Sequence, residues 1–153
     1  TNRTRTLFVP IVAAINVTDR LDIARGSVGG WILPETKVGY AWGNFAVPSD
    51  YVSTMTVVAV VQGDTTGDVF GYNLAYYAAV GEIYLAHYYG GPPDGAGAVT
   101  GRILAQIFPL SLSSVRAGDY VSLKIARIAT SANDTVTGDL VVMGWLVSYT
   151  ADS

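Results

Sequence analysis

The feature that most restricts this chain is a two-residue hydrophobic period that recurs from end to end, with no stretch holding a helical period. It is clearest in the C-terminal third. Between Gly118 and Arg127, Val121, Leu123 and Ile125 alternate with Ser122, Lys124 and Ala126. That is the pattern of a strand with one buried face. Between Asp139 and Tyr149, strict alternation puts Val141, Met143, Trp145, Val147 and Tyr149 on one face. Leu140, Val142, Gly144, Leu146 and Ser148 fall on the other. Both faces are largely apolar, so this strand is expected at the centre of a sheet and covered on both sides. The two runs read as the spine of a β-sandwich.

The rest of the chain repeats the pattern. Leu7 to Ile15 is an apolar run broken by Pro10, and a residue without an N–H belongs at a sheet edge or a bulge. Val38, Tyr40, Trp42 and Asn44 share one face of a further strand. Gly39 and Gly43 lie on its other face, where another backbone is expected to come close. Met55 to Gln62 is β-branched and apolar on both faces, hence central. Phe70, Tyr72, Leu74 and Tyr76 alternate after a Gly63–Gly67 turn, and strand character resumes at Arg102–Phe108. Counting such runs gives about eight strands with regularly spaced turn signals. The expected fold is all-β, an antiparallel β-sandwich of jelly-roll type. Residues 1–6 are polar and are expected to form a flexible N-terminal arm, with Arg3 and Arg5 free to touch a neighbour; residues 7–153 are expected to form one domain.

Composition narrows the function. Half of the 153 residues are hydrophobic and 14% are charged, well under the roughly 25% usual in soluble domains. A surface so poor in charge suggests burial against copies of the same chain. No run approaches the ~18 apolar residues of a spanning helix, so no membrane is expected. The net charge is −3 and the nine basic residues form no block, so no nucleic acid is expected either. With no cysteine and one histidine, thiol chemistry and a histidine-rich metal site are excluded, and no cofactor is expected. His87 lacks a second histidine, and Glu82, five residues before it, would point to the opposite face of a shared strand. Asp64 and Asp68, or else Asn133 and Asp134, could gather loop oxygens around a hard cation, but turn formation explains them equally well. No catalytic site is read and no enzyme is expected.

The enriched feature is aromatic. Ten tyrosines and three tryptophans are present, and Tyr72, Tyr76, Tyr77, Tyr84, Tyr88 and Tyr89 crowd one segment. Neighbouring pairs place one ring on each side of a strand, so one of each pair faces outward. Such rings anchor protein interfaces and stack on sugars. The contact residues expected are therefore Arg3, Arg5, Tyr76, Tyr77, Tyr84, His87, Tyr88 and Tyr89.

The stretch from Leu112 to Arg127, the loop at Asn133–Thr135, the stretch from Gly144 to Asp152, and Phe45 to Tyr51 together resemble small jelly-roll proteins of the virions of tailed phages and related viruses. The resemblance spans about half the chain and rests on strand ends and turns. It implies a non-enzymatic structural subunit, a capsid decoration protein or a tail or fibre head, located in the virion. Its partners would be itself, as a homotrimer or larger assembly, and other virion proteins. The alternative is an extracellular module that binds a glycan or receptor through the tyrosine-rich 72–89 segment and its adjacent loops.

Overall fold

A computed structural model describes residues 2–15, 30–83, 87–90 (for 88–90 the backbone only) and 95–152. Among these, the chain forms eleven strands and no helix: β1 Arg3–Pro10, β2 Ala13–Ile15, β3 Trp31–Leu33, β4 Val38–Ala46, β5 Tyr51–Gly63, β6 Gly67–Ala78, β7 His87–Gly90, β8 Gly95–Val99, β9 Ala105–Leu112, β10 Tyr120–Ile128 and β11 Leu140–Ala151. Every pairing is antiparallel. The first sheet runs β1-β11-β5-β9, with β3 also on β11; the second runs β2-β4-β10-β6-β7, with β8 also on β6. The count exceeds the expected eight because of short strands. β2, β3, β7 and β8 have three to five residues each, too few to establish a period.

The two spine strands lie in different sheets. β10 is the middle of the second sheet, between β4 and β6, and β11 is the middle of the first, between β1 and β5. Residues 129–139 therefore carry the chain from one layer to the other. Arg127 holds this crossing in place although it is fully buried. Its Nε and Nη2 donate to the two Asp134 oxygens at 3.0 and 2.8 Å. Nη1 donates to the carbonyls of Leu33 and Gly138, and Nη2 also to that of Val136. All five guanidinium N–H groups are thereby used. Asp134, weighed from the sequence as a cation ligand, is thus paired with an arginine.

Burial on β11 departs from strict alternation. The inward residues are Leu140 and Val142, then Trp145, Val147 and Tyr149. The register with β5 shifts between Val142 and Gly144, so one extra residue swaps the faces midway. Gly144 sits at φ +150° with β1 pressed against it; an added Cβ would run into the Val9 carbonyl. Val141 and Met143, expected on the same face as Trp145, point the other way.

The core lies between the layers, with Trp145, Leu123, Ile125, Val57, Val61 and Leu140 at its most enclosed positions. One polar link crosses it. Trp145 Nε1 donates to Asn73 Oδ1 at 3.2 Å, and Asn73 Nδ2 donates to the Phe108 carbonyl at 2.7 Å. Asn73 belongs to the second sheet and its two partners to the first, so one side-chain amide ties the layers together with both groups satisfied. Gly43 shows why β4 needs glycine on its inner face: an added Cβ would come within 2.6 Å of both the Pro10 carbonyl and the Trp145 ring.

The N-terminal residues are not an arm. Arg3 to Thr6 pair in register with Ala151 to Ser148 as the outer half of β1, which supplies a partner to the central strand β11. Pro10 then ends the ladder, as an edge position allows. The chain turns the corner between sheets, with the Val12 N–H bonded to the Trp42 carbonyl at 2.8 Å, and continues as β2.

Candidate functional site

Three adjacent strands of the second sheet build a face that is aromatic and nearly free of charge. On β4, Tyr40, Trp42, Asn44 and Ala46 point away from the core. On β10 the outward set is Tyr120, Ser122 and Lys124, and on β6 it includes Phe70, Tyr72, Tyr76 and Ala78. Register assembles these residues into rows across the sheet. Ala46, Tyr120 and Ala78 are opposite one another; Asn44, Ser122 and Tyr76 form the next row. Trp42, Lys124 and Leu74 form the third, and Tyr40, Ala126 and Tyr72 the fourth. The arrangement is a consequence of period two: each strand buries alternate residues and offers the others to the same side.

Over the first two rows lies an open depression of about 720 Å³, lined by Asn44, Phe45, Tyr76, Tyr120 and Ser122 among others. That volume falls within the range of small-ligand sites. Tyr120 is the most open of these rings, 59% exposed. The lining combines ring faces with an amide and a hydroxyl. Such a mixture can cover the apolar face of a saccharide and hydrogen-bond its hydroxyls.

Beyond the depression, Lys124 extends among rings. Its Nζ lies 4.2 Å from the centroid of Tyr40, 5.8 Å from that of Trp42 and 5.9 Å from that of Tyr72, within the reach of cation–π attraction. Burial against these rings lowers its pKa below the ordinary lysine value.

The residues expected from the sequence divide among several places. Tyr76 lies on the aromatic face, in the row with Asn44 and Ser122. Tyr77, its neighbour, is 4% exposed; it belongs to the core and stacks on His87, ring centroids 5.1 Å apart and 15° between planes. Of that pair only Tyr76 is outward. His87 opens β7 and is bonded to Glu82, Nε2 to Oε2 at 3.1 Å. The expectation that these two diverge fails because Glu82 is in the turn after β6, not on a strand with His87. Glu82 Oε1 also accepts from the Ala79 N–H and from Arg116 Nη2, each at 2.8 Å. The Ala79 bond, then the His87 bond, hold its carboxyl below the usual carboxylate range. This group is a clasp on the β6–β7 turn, with every member occupied by another.

Tyr84 lies outside the described residues. Tyr88 and Tyr89 pair in register with Tyr76 and Ala75. Arg5 forms an ion pair within its own chain, Nε to Asp50 Oδ2 at 3.2 Å; Asp50 Oδ1 accepts from the Tyr149 hydroxyl. That bond and burial raise the tyrosine's pKa, burial contributing most. Arg3 is exposed opposite Ala151 at the end of β1. Reasoning from the sequence passed over Tyr40, Trp42, Asn44, Tyr120, Ser122 and Lys124. The shared face of Tyr40, Trp42 and Asn44 was legible as alternation. Its placement beside β10, and its outward direction, were not.

Two antiparallel sheets packed about one core, with short strands crossing between them at the corners, define a β-sandwich of the jelly-roll type. No protein-family model matches the chain, and no curated protein does. Solved structures do. A family 35 carbohydrate-binding module from Clostridium thermocellum has 18% identity and a TM-score of 0.50, covering 97% of this chain and 99% of that one. The C-terminal CBM6 of LamC, a marine laminarinase from Zobellia galactanivorans, has 12% identity and a TM-score of 0.49, covering 95% and 99%. The infectious bursal disease virus Gx strain has 12% identity and a TM-score of 0.42, covering 98% of this chain and 32% of that one. At 18% identity the first shows a common fold. Nothing rests on the other two.

Proposed function

We propose that this protein is a non-catalytic glycan-binding module that takes a saccharide on the outer face of β4, β10 and β6. The observation that carries the reading is the row structure of that face, where Tyr76 and Tyr120 flank Asn44 and Ser122 at an open depression of about 720 Å³, and Trp42 and Tyr40 continue the aromatic surface in the next two rows. Saccharides present apolar ring faces and a rim of hydroxyls, and flat aromatic rings interspersed with short polar groups complement both. The fold shared with a carbohydrate-binding module supports the architecture, while the ligand is argued from this face alone. Such a module works extracellularly. A glycan array followed by calorimetry tests it. Trp42→Ala and Tyr76→Ala are expected to abolish or strongly weaken binding while the fold is retained; unchanged binding in both variants rejects the site.

A second reading, a virion structural subunit that self-associates as a trimer or larger assembly, is favoured by a different observation. Phe8, Val12 and Ile15 are 50%, 57% and 51% exposed along the corner between β1 and β2. Light scattering decides it. A monomer across the micromolar range removes self-association, whereas a trimer dispersed by Phe8→Ser supports it.

A further inference from the structure

Among the described residues, the aromatic face of β4, β10 and β6 carries one charge, and no carboxylate is paired with it. From Tyr40 to Ala46, from Tyr120 to Ala126 and from Phe70 to Ala78, the outward positions hold Lys124 and otherwise neutral residues. Among the described residues, Lys124 makes cation–π contacts and no ion pair with a carboxylate. The protein as a whole is acidic, with a net charge of −3. An ammonium set among rings on such a molecule has lost part of its hydration without gaining a counter-charge from any described residue.

Resting on the glycan reading above, we propose that the saccharide bears an anionic substituent, carboxylate or sulfate, and that Lys124 receives it. The spacing suits this role. Ser122, in the floor of the depression, precedes Lys124 by two residues on one strand, which sets the two side chains roughly 7 Å apart. A sugar ring seated over Asn44, Ser122 and Tyr76 brings a substituent of the adjoining ring to the ammonium. The Tyr40 and Trp42 rings restrict the lysine to that region. An oxyanion placed there gains a charge-assisted hydrogen bond in surroundings poorer in water than the open surface. The depressed pKa of Lys124 agrees with this, since a bound anion would restore what burial removes.

The test uses the whole chain and matched polysaccharides. Polygalacturonate and its methyl ester differ only at the carboxyl group; κ-carrageenan and its chemically desulfated product form a comparable pair for sulfate. Affinity electrophoresis and calorimetry are run on the wild type, Lys124→Met, Lys124→Arg and Trp42→Ala. The wild type is expected to bind at least one charged member tenfold or more tightly than its neutral counterpart. That preference should fall with added salt, disappear in Lys124→Met and persist in Lys124→Arg. The wild-type comparison does not depend on any variant folding. Equal affinity for the charged and neutral members, or a preference unaltered in Lys124→Met, overturns the proposal. If neutral glycans bind and Trp42→Ala abolishes that binding, the anion proposal fails and the glycan function stands. If no member of a broad neutral and acidic panel binds, both fail.

Discussion

β10 carries two cations three residues apart, Lys124 and Arg127, and they have opposite circumstances. An odd separation on a strand puts them on opposite faces. Arg127 points inward and is fully buried, with each N–H directed to an acceptor. Lys124 points outward among three aromatic rings. The inward charge is explained by the fold, because it clamps the loop that carries the chain between sheets. The outward charge stabilises no loop and pairs with no described carboxylate. Two basic residues on one strand thus separate a structural role from the recognition role proposed for Lys124, and the inner and outer faces of the second sheet can be challenged independently.

The strongest challenge to the inner face is Asp134→Ala. It leaves a buried guanidinium without its carboxylate, at an expected cost of about 3–5 kcal/mol in urea denaturation. A loss under 1 kcal/mol would mean that the carbonyls alone satisfy Arg127. Next is Trp145→Phe, which removes the donor to Asn73 Oδ1 and some core volume together. An expected loss of roughly 1–3 kcal/mol, read from the same transition, would confirm that the cross-sheet amide link matters.

On the outer face the order of effects reverses. Trp42→Ala is expected to reduce glycan affinity by tenfold or more, ~1.4 kcal/mol, with a smaller change in unfolding midpoint than either inner variant. A Trp42→Ala protein that loses stability and keeps its affinity would assign the face to the scaffold. The smallest effect concerns pH. Because burial lowers the Lys124 pKa in the folded state, the unfolded chain holds that proton more tightly. Its penalty is fully present at neutral pH and is relieved as pH rises from the depressed folded value to the ordinary one near 10.4. The stability of wild type relative to Lys124→Met should therefore increase across that alkaline interval. Taking the difference cancels the shared tyrosine titrations, whose raised pKa values at Tyr51 and Tyr149 act in the opposite direction. A flat difference would show that Lys124 is as well solvated in the folded protein as in the unfolded chain.

Three of the four stretches quoted for the virion resemblance meet in space, while the Asn133–Thr135 loop sits on Arg127 at the other end of β10. The Val47 N–H bonds the Asp119 carbonyl, and the Gly118 N–H bonds the Val47 carbonyl. These contacts form a corner of the sandwich. Asp119, 1% exposed, closes it by accepting the Arg116 N–H through Oδ2 at 2.9 Å. A corner motif of this kind reports how strands enter a sheet and is silent on what the sheet binds.

Period two is a local property, and its direct consequences were legible in the chain. Apolar residues on both faces of Met55–Gln62 and of the last strand marked both as central, and Pro10 marked an edge; β5, β11 and β1 occupy those positions. Alternation also put Tyr40, Trp42 and Asn44 on one side of a strand. Direction and neighbourhood came from elsewhere. Whether that side faced water depended on Gly43 meeting Pro10 and Trp145 from the other layer, and Lys124 reached Tyr40 and Tyr72 because β10 inserts between β4 and β6. The register shift near Gly144 reversed the faces of β11 midway, since one extra residue outweighs any pattern counted along the chain. The N-terminal residues became a strand because β11 had an open side to pair. Local sterics and burial preference determined the strands; long-range pairing and the packing of two layers decided which side chains were left outside, and so where a ligand can bind.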